Sequence, residues 1–285
     1  MYTLIAQNKY GQQMELTHND AYVIESIEGL DPPEAVINTT RNANTDGSVY
    51  NSAYVNNRQI IITLAINGPA EVNRINLYKY FKNKYPVRLY YQNNTRDVYI
   101  DGYCKNIQIE FFNKKQIAQI TILCPEPFFN GSSNEVIEFS SVTSAFEFPF
   151  SIEDPPGEIA FSTINLEEEE EDLVNTGDVE TGFSIYLKAR GPVTNPTIYN
   201  SETNEYIKLS ITMSEGDVIF INTRTKQKTI QLTSNGVTTN IIGNLVNGST
   251  WFTLTPGDNL FIITAEGTPE NLDSYAVITE QFEGV

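Results

Sequence analysis

Short apolar runs that alternate with polar residues, each closed by a turn signal, constrain this chain more than any other feature. Between residues 183 and 282 the text reads FSIYLKA, PTIYNSETNEYIKLSI, DVIFINTRTKQKTIQLT, NIIGNL, WFTLTPGDNLFIITA and YAVITEQF. Alternation with period two puts successive side chains on opposite faces, the mark of a half-buried strand. Ile, Val, Phe and Tyr fill the apolar positions. Asn, Gly, Thr and Ser fill the turns between them. Many short strands at regular spacing predict a sandwich or barrel. In WFTLTPGDNL, Phe252 and Leu254 share one face and Trp251 takes the other. Pro256 and Gly257 have the chemistry of a type II turn, in which glycine accepts positive φ.

The first half is written in the same way. YTLIAQ, MELTH, QIIITLAI (59–66), VRLYYQN, RDVYIDGYCKNIQIEFF and QIAQITILCP read as strands. Residues 42–58, NANTDGSVYNSAYVNNR, are polar, and Asp46-Gly47 predicts a tight hairpin turn there. With polar flanks, that hairpin should protrude. One segment departs from period two. PAEVNRINLYKYFKNKYP (69–86) predicts a helix of three to four turns, entered at Pro69 and ended by Pro86. Val72, Ile75, Tyr78 and Phe81 are expected on its packed face, with Arg74, Lys79, Lys82 and Lys84 mainly on the solvated one.

Charge divides the chain. The total is -18, yet residues 1–133 hold 12 acidic and 12 basic side chains, while residues 134–285 hold 24 and 6. This asymmetry predicts two domains, 1–133 and 134–285. An excess of acid argues against binding along a nucleic-acid backbone. Beyond residue 134, EVIEFSS, AFEFPFSI and GEIAFSTI read as further strands. The run Glu167–Asp172, EEEEED, reads as a solvated loop. Cys104 and Cys124 are the only cysteines and are expected as small buried apolar residues. MYTLIAQNKYGQQ lacks the basic start and apolar core of a secretory leader, and no apolar run has the length of a membrane span.

Reactive groups are scarce. His18 is the single histidine. No nucleophile elbow, phosphate-binding loop or dinucleotide fingerprint occurs. Well-specified turns without reactive groups point to a protein that binds or assembles, since the edge strands of two β-rich units need partners or cover. Trp251, the only tryptophan, is the candidate for stacking on a sugar, set against a packing role.

NPTIYNSETNEYIKLSITMSEGDVIFINTRTKQKTIQL followed by WFTLTPGDNLFIITA resembles the C-terminal domain of siphophage distal tail proteins. Asn195, Pro196, Ile198, Asn200, Gly216, Asp217, Thr223, Lys226, Trp251, Phe252, Leu254, Pro256, Gly257 and Asn259 carry the likeness. IEGLDPPEAVINTTRNANTDGSVYNSAYVNNRQIIITLAI, the RINLYKYF segment, IDGYCKNIQIEFF, CPEPFF and the closing VITEQFEGV keep the same family's order. The resemblance implies a mainly β chain: an N-terminal sandwich or barrel-like ring domain with one α-helix, then a galectin-like β-sandwich. It implies a structural hub of the tail tip or baseplate. In that role a homo-hexameric ring joins the tail tube protein to tail-tip, tail-associated lysin or baseplate proteins, with the tape measure protein a further neighbour. The implied location is the virion tail tip, after synthesis in the bacterial host cytoplasm. No enzymatic activity, cofactor, metal, nucleic-acid specificity or membrane insertion is implied. Asp46, Gly47, Tyr50 and Tyr54 are the expected contacts to a neighbouring subunit or the tube. The alternative is a carbohydrate-binding module that uses Trp251 for host attachment.

Overall fold

The computed structural model describes residues 2–110, 113, 115–139, 142–143, 163–164 and 170–285. The chain is mainly β and forms two compact units. One comprises residues 1–132 with 281–285, the other residues 133–280. The last five residues thus return to the first unit, whereas the charge division had assigned them to the second.

The first unit contains β1 (Thr3–Asn8), β2 (Gln13–Glu15), β3 (Tyr22–Glu28), β4 (Ala35–Thr40), β5 (Val49–Val55) and β6 (Arg58–Ile66). It continues with α1 (Ala70–Tyr80), β7 (Pro86–Gln92), β8 (Asp97–Ile109), β9 (Gln116–Cys124) and β10 (Phe129–Gly131). A nine-stranded antiparallel sheet runs β2-β1-β7-β8-β9-β6-β3. β10 pairs with β8 and with the last strand of the chain. Inward residues alternate along each strand: Ile60, Ile62 and Leu64 on β6, Val98 and Ile100 on β8, and Ala118, Ile120 and Ile122 on β9 are all fully buried. Each of the Val, Leu and Ile side chains contributes roughly 1.5–3 kcal/mol of transfer free energy. Cys104 and Cys124 lie in this core as free thiols.

α1 occupies the expected segment and Phe81 packs as expected, but Leu77 joins it on the packed face in place of Val72 and Ile75. Leu77 and Phe81 are fully buried, and Ala70 and Tyr80 lean on the core. Val72 and Ile75 are 63% and 45% exposed. The reason is angular. At about 100° per residue, nine residues turn the helix by roughly two and a half revolutions, so Val72 and Phe81 point to opposite sides. Leu77 and Phe81, four apart, stay on one side. Arg74, expected among the solvated cations, is instead largely covered. It pairs with Glu71 and stacks 5.5 Å from the Tyr78 ring centroid.

The second unit contains β11 (Glu135–Glu138), β12 (Val142–Thr143), β13 (Thr163–Ile164), β14 (Glu171–Asp172), β15 (Ser184–Ala189), β16 (Val193–Asn200), β17 (Glu205–Lys208) and β18 (Thr212–Met213). β19 (Val218–Asn222), β20 (Thr229–Ser234), β21 (Val237–Asn240), β22 (Leu260–Glu266) and β23 (Leu272–Ile278) complete it, and β24 (Gln281–Phe282) belongs to the first unit. A six-stranded sheet, β11-β23-β15-β19-β20-β21, faces a five-stranded one, β14-β22-β16-β17 with β18 on β16. Ile185, Leu187, Ile219 and Ile221 from the first sheet share a core with Ile198, Ile207 and Phe261 from the second. Phe183, Phe252 and Phe261 form an aromatic cluster at its centre, with ring centroids 5.0–6.1 Å apart. AFEFPFSI and most of GEIAFSTI lie outside the described residues. So do the first three acids of EEEEED. Its last two residues are not loop but β14, paired with β22.

The motif residues of the second unit hold its turns and loops. Asn200 is 4% exposed, and its Oδ1 accepts from Glu202 N at 3.0 Å and Thr203 N at 2.9 Å. Asp217 accepts from Ser214 N at 2.8 Å. The Thr223 hydroxyl accepts from Phe183 N at 3.0 Å and donates to Phe183 O at 3.2 Å. Asn259, 2% exposed, accepts from Thr255 N and donates to the carbonyls of Leu173, Thr255 and Gly257. Gly257 takes φ +97 as the turn requires. Phe252 and Leu254 are buried, and Trp251 is half-buried against the same core; residues 251–253 form no strand, contrary to the sequence reading. This is the purpose of the recurring strand-and-turn text: buried polar side chains satisfy loop backbone that would otherwise be unpaired.

Candidate interaction surfaces

The sequence places its principal candidate site at a protruding hairpin, and β4 with β5 forms a separate two-stranded sheet. Val36 pairs with Tyr54, Ile37 with Ala53 and Asn38 with Ser52. A bulge then shifts the register before Thr39 meets Tyr50. Nearly every residue of both strands is exposed. Tyr50 and Tyr54 are 63% and 53% exposed, and Ile37 and Val49 are exposed beside them. The sequence reading did not single out Ile37, which follows Ala35 and Val36, or Val49, which precedes Tyr50. Asp46 and Gly47 lie in the connection 41–48. Gly47 has φ +90, but Asp46 is not in the left-handed region, so they do not form a two-residue type I′ turn. The reversal takes eight residues.

The root of the hairpin is fixed by Arg58, a residue the sequence did not single out. Its side chain is almost fully buried. Nε donates to Pro127 O at 2.5 Å, and Nη1 donates to Gly29 O at 2.6 Å and Asp31 O at 2.8 Å. Nη2 donates to Glu283 O. The guanidinium carbon lies 4.7 Å from the Phe129 ring centroid. Burial lowers the guanidinium's pKa from its ordinary value, opposed by Cys124, Asp31 and Glu283. One side chain thus ties together the chain before β4, the start of β6, the loop before β10 and the C-terminal tail. A cleft of about 580 Å³ lined by Asp31, Pro32, Pro33, Glu34 and Asn56–Gln59 opens beside it.

Trp251, the stacking candidate, belongs to the second unit. Its ring packs against that unit's core, and Lys228 Nζ lies 5.5 Å from its centroid. A sugar on that face would displace a cation already held there. His18 is exposed, with φ 51, at the wall of a cleft of about 600 Å³ shared with Tyr2, Tyr22 and Val23. Among the described residues no group of three or more His, Cys, Asp or Glu side chains is placed to hold a metal ion. Among them, too, no helix is long and apolar enough to cross a membrane. The two thiols are inert in character, since burial pushes Cys104 up to about 11 and Cys124 up to about 12.

Residues 9–124 match the family model of the phage tail protein RIFT-related domain, and residues 176–274 match that of the siphovirus-type tail component, C-terminal domain. Together these cover about three quarters of the chain. The Dit protein of phage SPP1 was described as a paradigm of the hub adsorption apparatus in phages that infect Gram-positive bacteria. It superposes over 99% of both chains with TM-score 0.69 at 14% identity. A chain of the phage P2 baseplate in its activated conformation with calcium superposes over 100% of both chains, with TM-score 0.55 at 13% identity. The strontium form gives the same values. At these identities the superpositions establish the fold. No curated protein sequence matches the chain significantly. The matched proteins are structural components of phage tails.

Proposed function

Because the chain belongs to the siphophage distal tail protein family, we propose that it forms a homo-hexameric ring at the hub of a tail tip or baseplate. In this reading the first unit, residues 1–132 with 281–285, builds the ring and residues 133–280 form an outward-facing lobe. The ring joins the tail tube protein above to tail-tip, lysin or baseplate proteins below.

The β4–β5 hairpin carries the reading. A lone two-stranded sheet is marginal in water. Here it leaves Ile37 and Tyr50 exposed on one face and Val49 and Tyr54 on the other. Large apolar side chains on both faces of an arm mark a surface that another chain covers. Tyr50 and Tyr54 supply large contact area, and the Asp46–Gly47 connection supplies reach. The arm costs stability in the isolated chain and is repaid only on assembly.

Light scattering over a concentration series tests this directly. The expected outcome is a species near six times the 32.1 kDa chain mass, and its loss on deletion of residues 44–52 with the monomer still folded. Intact hexamers after that deletion would remove the hairpin from the interface. A monomer at every concentration, alone and with co-expressed tail proteins, would overturn the ring.

A further inference from the structure

The first unit carries a second surface, which the hairpin reading does not use. Lys9 follows β1, and Lys82 and Lys84 lie in the turn after α1, closed by Tyr85 N donating to Lys82 O at 3.1 Å. Lys9 Nζ lies 4.6 Å from the Tyr85 ring centroid and 5.7 Å from that of Tyr10, and Lys82 Nζ lies 6.0 Å from the Tyr85 centroid. Lys84 N donates to Cys104 O at 2.8 Å and Pro86 is paired with Tyr103, so β8 brings Tyr103 and Lys105 to the same end. Tyr10, Tyr85 and Tyr103 are 64%, 37% and 49% exposed. Among the described residues none of Lys9, Lys82 and Lys84 is in an ion pair. The nearby Asp101 is committed to Arg88 through bonds of 2.7 and 2.8 Å.

Lysines on a surface are ordinary. Lysines held over the rings of exposed tyrosines are pre-positioned, and tyrosine is the residue of interface centres. The patch therefore calls for an anionic partner with an extended backbone. The chain itself holds the complement. All of its excess negative charge lies beyond residue 133, where Glu167–Asp172 is its densest run. Glu171 and Asp172 belong to β14, and Glu167–Glu170 precede them in sequence as four consecutive carboxylates; on the lysine side, Lys105 Nζ also donates to Gln59 Oε1 at 3.3 Å.

We propose that the Lys9–Lys82–Lys84–Lys105 surface, with its tyrosines, docks residues 167–170 of a second copy of the chain. The contact requires self-association but not a ring of any particular size, so it stands or falls separately from the hairpin.

The test is zero-length carbodiimide cross-linking of full-length protein, co-assembled from equal amounts of unlabelled and nitrogen-15-labelled chains, read by mass spectrometry. The expected result is mixed-isotope links joining Lys9, Lys82 or Lys84 to Glu167–Glu170. In the Lys82→Glu/Lys84→Glu protein the Lys9 link falls about tenfold, the sum of several exposed ion pairs. Adding Glu167→Lys/Glu168→Lys restores a mixed-isotope link at positions 82 and 84. Three outcomes overturn the proposal. Links confined to one isotope mean an intrachain contact. Links from these lysines to other carboxylates mean a different face of the second copy. An absence of links at these lysines, with mixed-isotope links elsewhere, means that the patch serves a partner other than this chain and leaves the oligomer intact.

Discussion

Replacing Arg58 with methionine tests whether the first unit is closed by its own C-terminus. Methionine keeps most of the buried stem and removes every donor. Four carbonyls, from Gly29, Asp31, Pro127 and Glu283, lose their partner at once. A hydrogen bond to a charged group is worth roughly 1.5–3 kcal/mol. A simple sum overstates the loss, because three of the four contacts are only part-buried and water reaches them. Relief of the guanidinium's own desolvation offsets part of the rest. The net expectation is about 3–5 kcal/mol, typical of a broken buried polar network. The assay is amide hydrogen exchange resolved by peptide. Residues 281–285 are held by the pairing of β24 with β10, by Val285 N on Leu30 O and by Arg58. Their exchange in the variant should accelerate by two orders of magnitude or more, roughly what 3 kcal/mol implies at 1.4 kcal/mol per decade. The strands of the second unit should be unaffected. Arg58→Lys should fall between, because one ammonium retains the charge but not the planar fork. Unchanged protection of residues 281–285 in Arg58→Met would refute the reasoning, since the tail would then be held by strand pairing alone.

Four further outcomes are expected. Gly182→Ala should destabilise the second unit by about 3 kcal/mol or more in denaturant titration, because an added Cβ would sit 2.4 Å from Arg224 Cα and 2.6 Å from Arg224 N, atoms that cannot move aside. Gly257→Val should cost only about 1–3 kcal/mol, the strain of φ +97 with nothing within 4 Å, and equal losses in the two variants would contradict this ordering. Thr223→Val should cost about 1–3 kcal/mol by leaving Phe183 N without its hydroxyl acceptor, and a ΔΔG near zero would mean that water or the backbone replaces it. Native Cys104 and Cys124 should resist alkylation at pH 8 and react fully in denaturant. Because both folded thiols titrate above their ordinary 9.0, near 11 and 12, the folded state binds more protons. The stability they contribute is whole below pH 9 and lost as pH rises through 9 to 12, and rising stability across that window would reverse the sign.

What can be read from this sequence is what neighbours in the chain decide. Period-two alternation placed Ile219 and Ile221 on β19 and Ile185 and Leu187 on β15 in the core, because a strand sends successive side chains to opposite faces. Pro256-Gly257 announced a turn that only glycine's freedom at positive φ permits, and the apolar settings of Cys104 and Cys124 announced their burial. Where a local pattern admitted two answers, local reading failed. Three-residue spacing along α1 suggested a face through Val72, Ile75, Tyr78 and Phe81, but spacing by three drifts around a helix of 3.6 residues per turn, and the sheet beneath kept Phe81 and took Leu77 with it. Asp46-Gly47 signalled a tight turn, yet strand pairing stops at Thr40 and Val49, eight residues lie between them, and Asp46 does not take the left-handed conformation that a two-residue turn needs. Arg58 gave no signal at all. Its partners lie up to 225 positions away, and a cation in QIIITLAI's flank looks like any solvated end of a strand until those carbonyls converge on it. The pairing of β24 with β10 is of the same kind: a two-residue strand has almost no local propensity, and only an edge already built by 130 earlier residues makes the closing stretch a part of the first unit.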